Sequence, residues 1–184
     1  MNKPRATSDH GPLVRCLSEI EARHHAAGWK TNGDFNAVYT LHRHRGEGLR
    51  ALPFPLEPAA RSMPVREVVE ALTAAFHHPS GGAVLTAAPK GIVGLAVCSE
   101  AWIVARDAVG EPGMQLAEQL GREGLLRLHP GRQEIRFAQG RLVDGTESLL
   151  HRTRGTPCEL MNASLGGLLP DAVAALLAAM LMHS

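Results

Sequence analysis

The segment Ile92–Val104 constrains the fold more than any other part of the chain, because it is apolar on both faces of a strand. Successive residues of a strand point to opposite sides of its sheet. One side would carry Val93, Leu95, Val97, Ala101 and Ile103, and the other would carry Ile92, Cys98, Trp102 and Val104. A strand of this kind is typical of a sheet that is covered on both sides. The sequence therefore predicts a central strand over about 92–104.

A β-hairpin is predicted further along the chain, over about 132–153. Between its two arms, Asp144 and Gly145 supply the positive φ angles that a two-residue turn needs. Gly140 interrupts the alternation of the first arm and predicts a β-bulge there. With the strand at 92–104, the hairpin would form an antiparallel meander. The expected fold class is therefore α+β with a mainly antiparallel sheet.

Helices are predicted where apolar residues recur at helical spacing between proline and glycine residues. These segments are about 13–27, 65–77, 114–128 and 168–182. Residues 106–113 are expected to form a linker. Two more strands are expected near the start of the chain: a half-buried one that includes 35–41, where apolar residues alternate with polar ones, and a short one at 49–54.

Length and composition limit the class of protein. The chain has 184 residues, is 45% hydrophobic and carries a formal net charge of +1. These values exclude a disordered chain, and they exclude a protein held on nucleic acid or on an anionic membrane by its overall charge. We expect a flexible arm at 1–11 and a single α+β domain at 12–184. Since the first residues lack the apolar core of a signal peptide, the expected location is the cytoplasm.

Metal and nucleophile chemistry have no recognisable pattern in the sequence. Cys16, Cys98 and Cys158 are widely spaced, which gives neither a disulfide framework nor a zinc motif. His42 and His44 would point to the same side of a strand, but no third ligand stands at a defined spacing from them. Phosphate-binding loops and nucleophile elbows are also missing. We therefore expect neither a metal nor a cofactor.

Glu100 is the residue that bears most directly on chemistry, because a carboxylate in the middle of a central strand is costly to bury without a partner. If the strand that starts at 132 lies alongside, Arg136 could form a bidentate pair with Glu100. The favoured interpretation is a structural ion pair, or a glutamate at the solvent edge of the strand. The alternative is an acid/base carboxylate in a pocket beside Trp102, acting with Arg136 and His129.

The last predicted helix, 168–182, is apolar almost all round and carries no lysine or arginine. Either the rest of the domain wraps it, or one of its sides packs against a second copy of the chain. The candidate interface residues are Leu176, Leu177, Met180 and Leu181.

Several short motifs stand out together. They are Val97-Cys-Ser-Glu100-Ala-Trp102, His129-Pro130-x-Arg132-x-Glu134-x-Arg136, the turn that begins Val143-Asp144, Arg152-x-Arg154-Gly155 and Leu169-Pro170-Asp171-Ala172. With these motifs the chain resembles, over roughly 64–181, a family of small, functionally uncharacterised proteins found mainly in high-GC, actinobacterial-type genomes. The resemblance implies a small cytoplasmic bacterial protein, implies no activity, and makes Glu100, Trp102, His129, Glu134 and Arg136 a plausible cluster around the sheet.

These observations favour a non-enzymatic domain that acts by protein–protein contact, as a homodimer in a regulatory or accessory role. The first alternative is a small-molecule-binding or hydrolytic enzyme that uses Glu100. The second is a nucleic-acid accessory protein that uses Arg43, Arg45 and Arg50. The basic stretch from His42 to Arg50 has too few cations for a nucleic-acid-binding site and no interleaved aromatic residues. A solvated loop is therefore the better interpretation of this stretch.

Overall fold

The structure is a computed structural model, and four helices and six strands make up its main elements. The helices are α1 (Pro12–Ala26), α2 (Val65–His77), α3 (Arg106–Arg122) and α4 (Leu168–Met182), with a 3₁₀ turn at Leu126–Leu128. The strands are β1 (Asn36–Arg43), β2 (Leu49–Pro53), β3 (Ile92–Val104), β4 (Arg132–Leu142), β5 (Glu147–Thr153) and β6 (Glu159–Met161). The residues described are 11–29, 36–46, 48–54, 56, 63–77, 91–161 and 168–182. The expected arm at 1–11 lies outside these ranges except for Gly11.

The strands form one antiparallel sheet in the order β2-β1-β3-β4-β5-β6. The α+β class and the meander of β3, β4 and β5 are therefore confirmed. The central strand is confirmed as well, since β3 lies between β1 and β4 and residues 94–100 are buried. Strand β1 is covered on both faces, because Val38 and Thr40 are as buried as Tyr39 and Leu41. The half-buried strand expected there was wrong on this point.

One face of the sheet is covered by α1. Leu13, Leu17 and Ile20 of this helix form a buried cluster with apolar residues from four strands. The strand residues are Tyr39, Leu41, Ala96, Cys98, Ala138 and Leu150. The spacing of three and four residues places the helical side chains on one stripe, which is the amphipathic pattern of a helix that packs on a sheet.

Gly140 lies directly beneath this helix. A Cβ atom at this position would come within 2.9 Å of Leu13 Cδ1 and 3.1 Å of Leu17 Cδ2. The β4 ladder continues through Gly140, which pairs with Ala96 on one side and Ser148 on the other. The predicted bulge was therefore wrong, because the glycine makes room for α1 instead of interrupting the strand.

The opposite face of the sheet is covered by α2 and α4. Val68, Val69 and Phe76 of α2 pack with the buried side of α4 and with Val38, Leu95 and Val97 of the sheet. The buried residues of α4 are Val173, Leu176, Leu177, Ala179 and Met180. This packing explains the apolar character of α4 along most of its length.

Helix α3 begins earlier than the sequence predicted. Residues 106–113 were expected to form a linker, but α3 starts at Arg106 and contains a kink at Gly110, where φ is 64°. Pro112 follows the kink, in the first turn of the second helical piece, where a proline loses no hydrogen bond. The helix ends at Arg122, before Gly124 with φ 69°, so the expected helix at 114–128 extends too far.

The connection between β4 and β5 is longer than the two-residue turn that was expected. It contains four residues, 143–146, and Leu142 N donates to Thr146 O at 2.9 Å. Gly145 has the expected positive φ, 88°. Strand β6 was not predicted, since three residues are too few for a pattern of alternation to stand out.

Gly94 and Gly121 provide a matched test of strand packing. A Cβ at Gly94 would lie 2.5 Å from Arg141 O, a backbone atom, whereas a Cβ at Gly121 would meet nothing within 4 Å. We expect Gly94→Ala to lower the free energy of unfolding by about 1–3 kcal/mol. Gly121→Ala should be neutral or stabilising by up to about 1 kcal/mol, because alanine favours the helix. Urea unfolding measures both, and equal midpoints for the two variants would contradict the packing of β3 on β4.

Candidate functional site

Glu100 and Arg136 form an ion pair inside the sheet. They are directly opposite each other in the β3–β4 ladder, and both side chains are almost completely buried. Arg136 Nη2 and Nε donate to Glu100 Oε1 at 2.5 and 3.1 Å. The predicted pair is confirmed, with the difference that both donors reach the same carboxylate oxygen instead of one each.

Arg136 is also held by the segment that follows α1. Its Nη2 donates to Gly28 O at 2.7 Å, and its guanidinium carbon lies 4.6 Å from the centre of the Trp29 ring. A guanidinium over an aromatic face is an attractive arrangement. Nη1 of Arg136 has no hydrogen-bond acceptor among the described residues and lies 3.8 Å from Glu21 Oε1.

Glu21 of α1 extends this ion pair into a chain of four charges. Its two carboxylate oxygens accept hydrogen bonds from Nε and Nη2 of Arg152, at 2.7 and 2.8 Å, in a bidentate arrangement. Arg152 Nη1 also donates to Thr156 O at 3.1 Å. Glu100, Arg136, Glu21 and Arg152 thus alternate in sign and sum to zero. We refer to these four residues as the charge network.

The charge network sets the ionisation of Glu21. Burial by itself would raise the pKa of the Glu21 carboxyl, but the hydrogen bonds and the charge of Arg152, with the charge of Arg136, hold that pKa below its ordinary value. The carboxylate is therefore ionised at neutral pH and fully engaged by its partners.

His129 does not join Glu100 and Arg136, although the sequence grouped the three as candidate catalytic residues. Its Nε2 lies 3.0 Å from Gly113 O, and its Nδ1 accepts a hydrogen bond from Gly131 N at 2.9 Å. Both ring nitrogens are thus used by the backbone, and Nε2 must carry the proton in order to donate to a carbonyl. The buried ring ties α3 to the segment that leads into β4.

The remaining members of the predicted cluster, Glu134 and Trp102, are opposite each other in the β3–β4 ladder, and Glu134 is buried. Glu134 Oε2 accepts a hydrogen bond from Nη1 of the exposed Arg154 at 2.8 Å. Trp102 is half-buried, and the guanidinium of Arg132 lies 5.5 Å from its ring centre. Glu100, His129 and Arg136 line neither the cavity at the start of α1 nor the groove between α2 and α4.

The cysteines are poorly suited to nucleophilic chemistry. Burial raises the pKa of both the Cys16 and the Cys158 thiol to about 11. Burial also raises the pKa of the Cys98 thiol well above its ordinary value. Because the thiolate is the reactive form, all three side chains are unreactive thiols at neutral pH.

The paired histidines lie in different surroundings. His42 Nε2 is 3.0 Å from Thr40 Oγ1, whereas His44 follows the end of β1, so the two do not share a strand face. In the part of the chain that the structure describes, no three His, Cys, Asp or Glu side chains come together in a possible metal site.

The candidate interface residues of α4 divide into two groups. Leu176, Leu177 and Met180 are buried against α2 and the sheet, in the core of a single chain, and so offer no surface to a partner in this conformation. Only Leu181 of the four is exposed. The basic residues Arg43, Arg45 and Arg50 are exposed around the connection from β1 to β2.

Sequence reasoning missed three residues of this site: Glu21, Trp29 and Arg152. Glu21 stands four residues after Leu17, on the apolar stripe of α1, so its helical position already indicated a buried carboxylate. Arg152 is two residues after the buried Leu150, on the same face of β5. Trp29 lies just after α1 and next to Gly28, outside any helix or strand, so no periodic pattern in the sequence indicated its position.

No protein-family model, no curated protein and no solved structure matches the chain. The resemblance to the actinobacterial-type family therefore stays a prediction. Among the described helices, none combines the length and the apolar character needed to cross a membrane.

Removing one charge from the buried pair should destabilise the protein strongly. Glu100→Gln leaves Arg136 with an uncompensated buried charge, and we expect the free energy of unfolding to fall by about 3–5 kcal/mol. The matched control is Glu147→Gln, which breaks the partly exposed cross-strand pair with Arg141 and should cost at most about 1 kcal/mol. Chemical denaturation checks both, and a Glu100 variant as stable as the control would contradict the assigned burial.

The lowered pKa of Glu21 predicts a dependence of stability on pH. A carboxyl whose pKa is lower in the folded state than in the unfolded state stabilises the folded state. This contribution is complete above the pKa of the unfolded state, about 4.3, and it is lost as the pH falls through the pKa of the folded state. The stability difference between the wild type and Glu21→Gln should thus be largest at neutral pH and shrink in acid. Parallel curves for Glu21→Gln and the wild type down to acid pH would disprove this assignment.

Proposed function

We propose that this protein is a non-enzymatic cytoplasmic domain that acts by protein–protein contact and forms a homodimer, in a regulatory or accessory role. The observation that carries the proposal is the exposed side of the layer formed by α2 and α4, which is built from small apolar residues. The resemblance to small bacterial proteins is consistent with such a role.

The use of the charged groups argues against catalysis. Glu100, the best candidate for an acid/base group, accepts hydrogen bonds from Nε and Nη2 of Arg136. His129 has both ring nitrogens committed to the backbone. A general acid or base needs contact with the group whose proton it transfers. The hydrogen-bonding atoms of Glu100 and His129 named above already contact Arg136 and the backbone instead.

The proposed contact surface combines two helices. Helix α4 exposes Ala175, Ala178, Leu181 and Met182, and the last two are 41% and 67% exposed. Helix α2 exposes Ala71, Ala74 and Ala75, of which Ala74 lines the groove between the two helices together with Ala175. We call these seven residues the alanine surface. Small side chains allow the helices of two chains to approach closely, and the exposed leucine and methionine would lose contact with water on association.

The charges around the alanine surface favour a second copy as the partner. A shallow groove between α2 and α4 has Arg66, Glu70, His77 and Asp171 along its rim. Both signs are therefore present on one surface. Arg66 and Glu70 form an ion pair with each other within α2. In a two-fold dimer the same patch meets itself, so a surface with balanced charges does not repel its copy, whereas a surface of one sign would.

A charge placed in the alanine surface should separate the dimer. We expect the wild-type chain to be a dimer at micromolar concentration, and Ala178→Glu to be a monomer, because a buried carboxylate without a partner opposes association. Ala22→Glu is the matched control, since it makes the same change at an exposed position of α1 on the opposite side of the sheet. Light scattering coupled to size-exclusion chromatography gives the mass of each variant.

Two outcomes of that experiment would overturn the proposal. One is a wild-type chain that is monomeric at micromolar concentration. The other is a dimer that Ala178→Glu leaves intact while Ala22→Glu disrupts it, which would place the interface on the face of α1. Circular dichroism of each variant verifies that the chain is folded, so that loss of the dimer is not confused with unfolding.

A further inference from the structure

A cavity of about 420 Å³ lies on the α1 side of the sheet, away from the alanine surface. It is bounded by the first residues of α1 and by the ends of the strands that meet there: the end of β1, the starts of β2 and β3, and the β4–β5 connection. This volume is within the range of about 300–1,000 Å³ that is usual for small-molecule sites.

The walls of the cavity are mainly aliphatic. Leu13 and Val14 contribute from α1, and Leu49, Val93 and Leu142 contribute from the strands. None of the described residues that line it is aromatic. Such walls fit a flexible aliphatic body better than a flat ring, since an aromatic ligand has no ring here on which to stack.

Arg43 supplies one cation to this cavity. It lies at the end of β1 and forms neither a hydrogen bond nor an ion pair with any residue in the described ranges. A guanidinium lining an apolar cavity is suited to a carboxylate, because it can donate two parallel hydrogen bonds to the two oxygens.

Asp144 is the acidic residue among the lining side chains, and its carboxylate is already engaged. Its Oδ1 accepts a hydrogen bond from Thr146 N at 2.9 Å, inside its own turn. The hydrogen bonds from Thr146 and, to a smaller extent, the charge of Arg43 lower the pKa of Asp144. The first turn of α1 contains no acidic residue, so the helix start adds no negative charge to this wall.

We propose that this cavity binds a carboxylate with an aliphatic body, in which Arg43 holds the carboxylate and the aliphatic walls hold the chain. This site is independent of the proposed dimer, because none of its lining residues belongs to the alanine surface. We assign an anion and not an amine, because the Arg43 guanidinium can donate two parallel hydrogen bonds, whereas Oδ1 of Asp144 already accepts a hydrogen bond within its own turn.

The test uses three probes of equal chain length and different headgroup: octanoate, octanol and octylammonium. Titration of the full-length protein, followed by amide NMR shifts, should show octanoate binding at or below about 1 mM and more tightly than the other two. The shifted amides should lie at the start of α1, the start of β3 and the β4–β5 connection. Preferential binding of octylammonium, shifts confined to α2 and α4, or no binding of any probe would overturn the proposal.

Two variants and one control separate the headgroup site from the chain site. Arg43→Gln should weaken octanoate about tenfold or more and leave octanol unchanged, because it removes a hydrogen bond to a charged group. Arg50→Gln, at an exposed arginine on the neighbouring strand outside the lining, should stay within about twofold of the wild type. Ser148→Phe should fill the cavity and abolish binding of octanoate. Equal octanoate affinity in the Arg43 and Arg50 variants would remove Arg43 from the site.

Discussion

Arg136 is the residue through which the sheet and α1 are held in one arrangement. Its guanidinium contacts Glu100 on the neighbouring strand, Gly28 and Trp29 after the helix, and approaches Glu21 within the helix. Removing such a group from water is costly, and only the combined contacts offset the cost. The position of α1 is therefore specified by charge as well as by apolar packing, because any other placement would leave a buried ion without its partner.

The charge network also accounts for the structural role of two candidate catalytic residues, Glu100 and Arg136. Glu100 and Arg136 have the residue types of an active site, but their hydrogen bonds are directed at each other and at the backbone. His129 likewise joins two backbone segments. The two proposed binding surfaces lie elsewhere, on the outer side of α2 and α4 and in the cavity that Arg43 lines beside the start of α1.

Much of the fold followed from local patterns, whereas the site followed only in part. Strand β3 was predictable because two apolar faces have few other interpretations, and the Glu100–Arg136 pair followed from its register. The kinked helix at Gly110 could not be predicted, since a glycine and a proline close together indicate a linker as readily as a bent helix. Gly140 was wrongly interpreted as a bulge, because a glycine is needed there to make room for α1, which is remote in sequence. Arg152 was missed for the same cause: its partner Glu21 lies on a different element.

The two borders of the sheet limit how copies of this chain can assemble. An open sheet has two outer strands whose unpaired backbone groups invite another strand. Here one border is β6, with three residues, and the other is β2, with five residues ending in Pro53, which has no N–H to donate. In the described parts of the chain, neither border provides a long template for strand addition, so growth of the sheet from chain to chain is discouraged. The proposed dimer uses the helical layer instead, where a contact between two copies closes on itself.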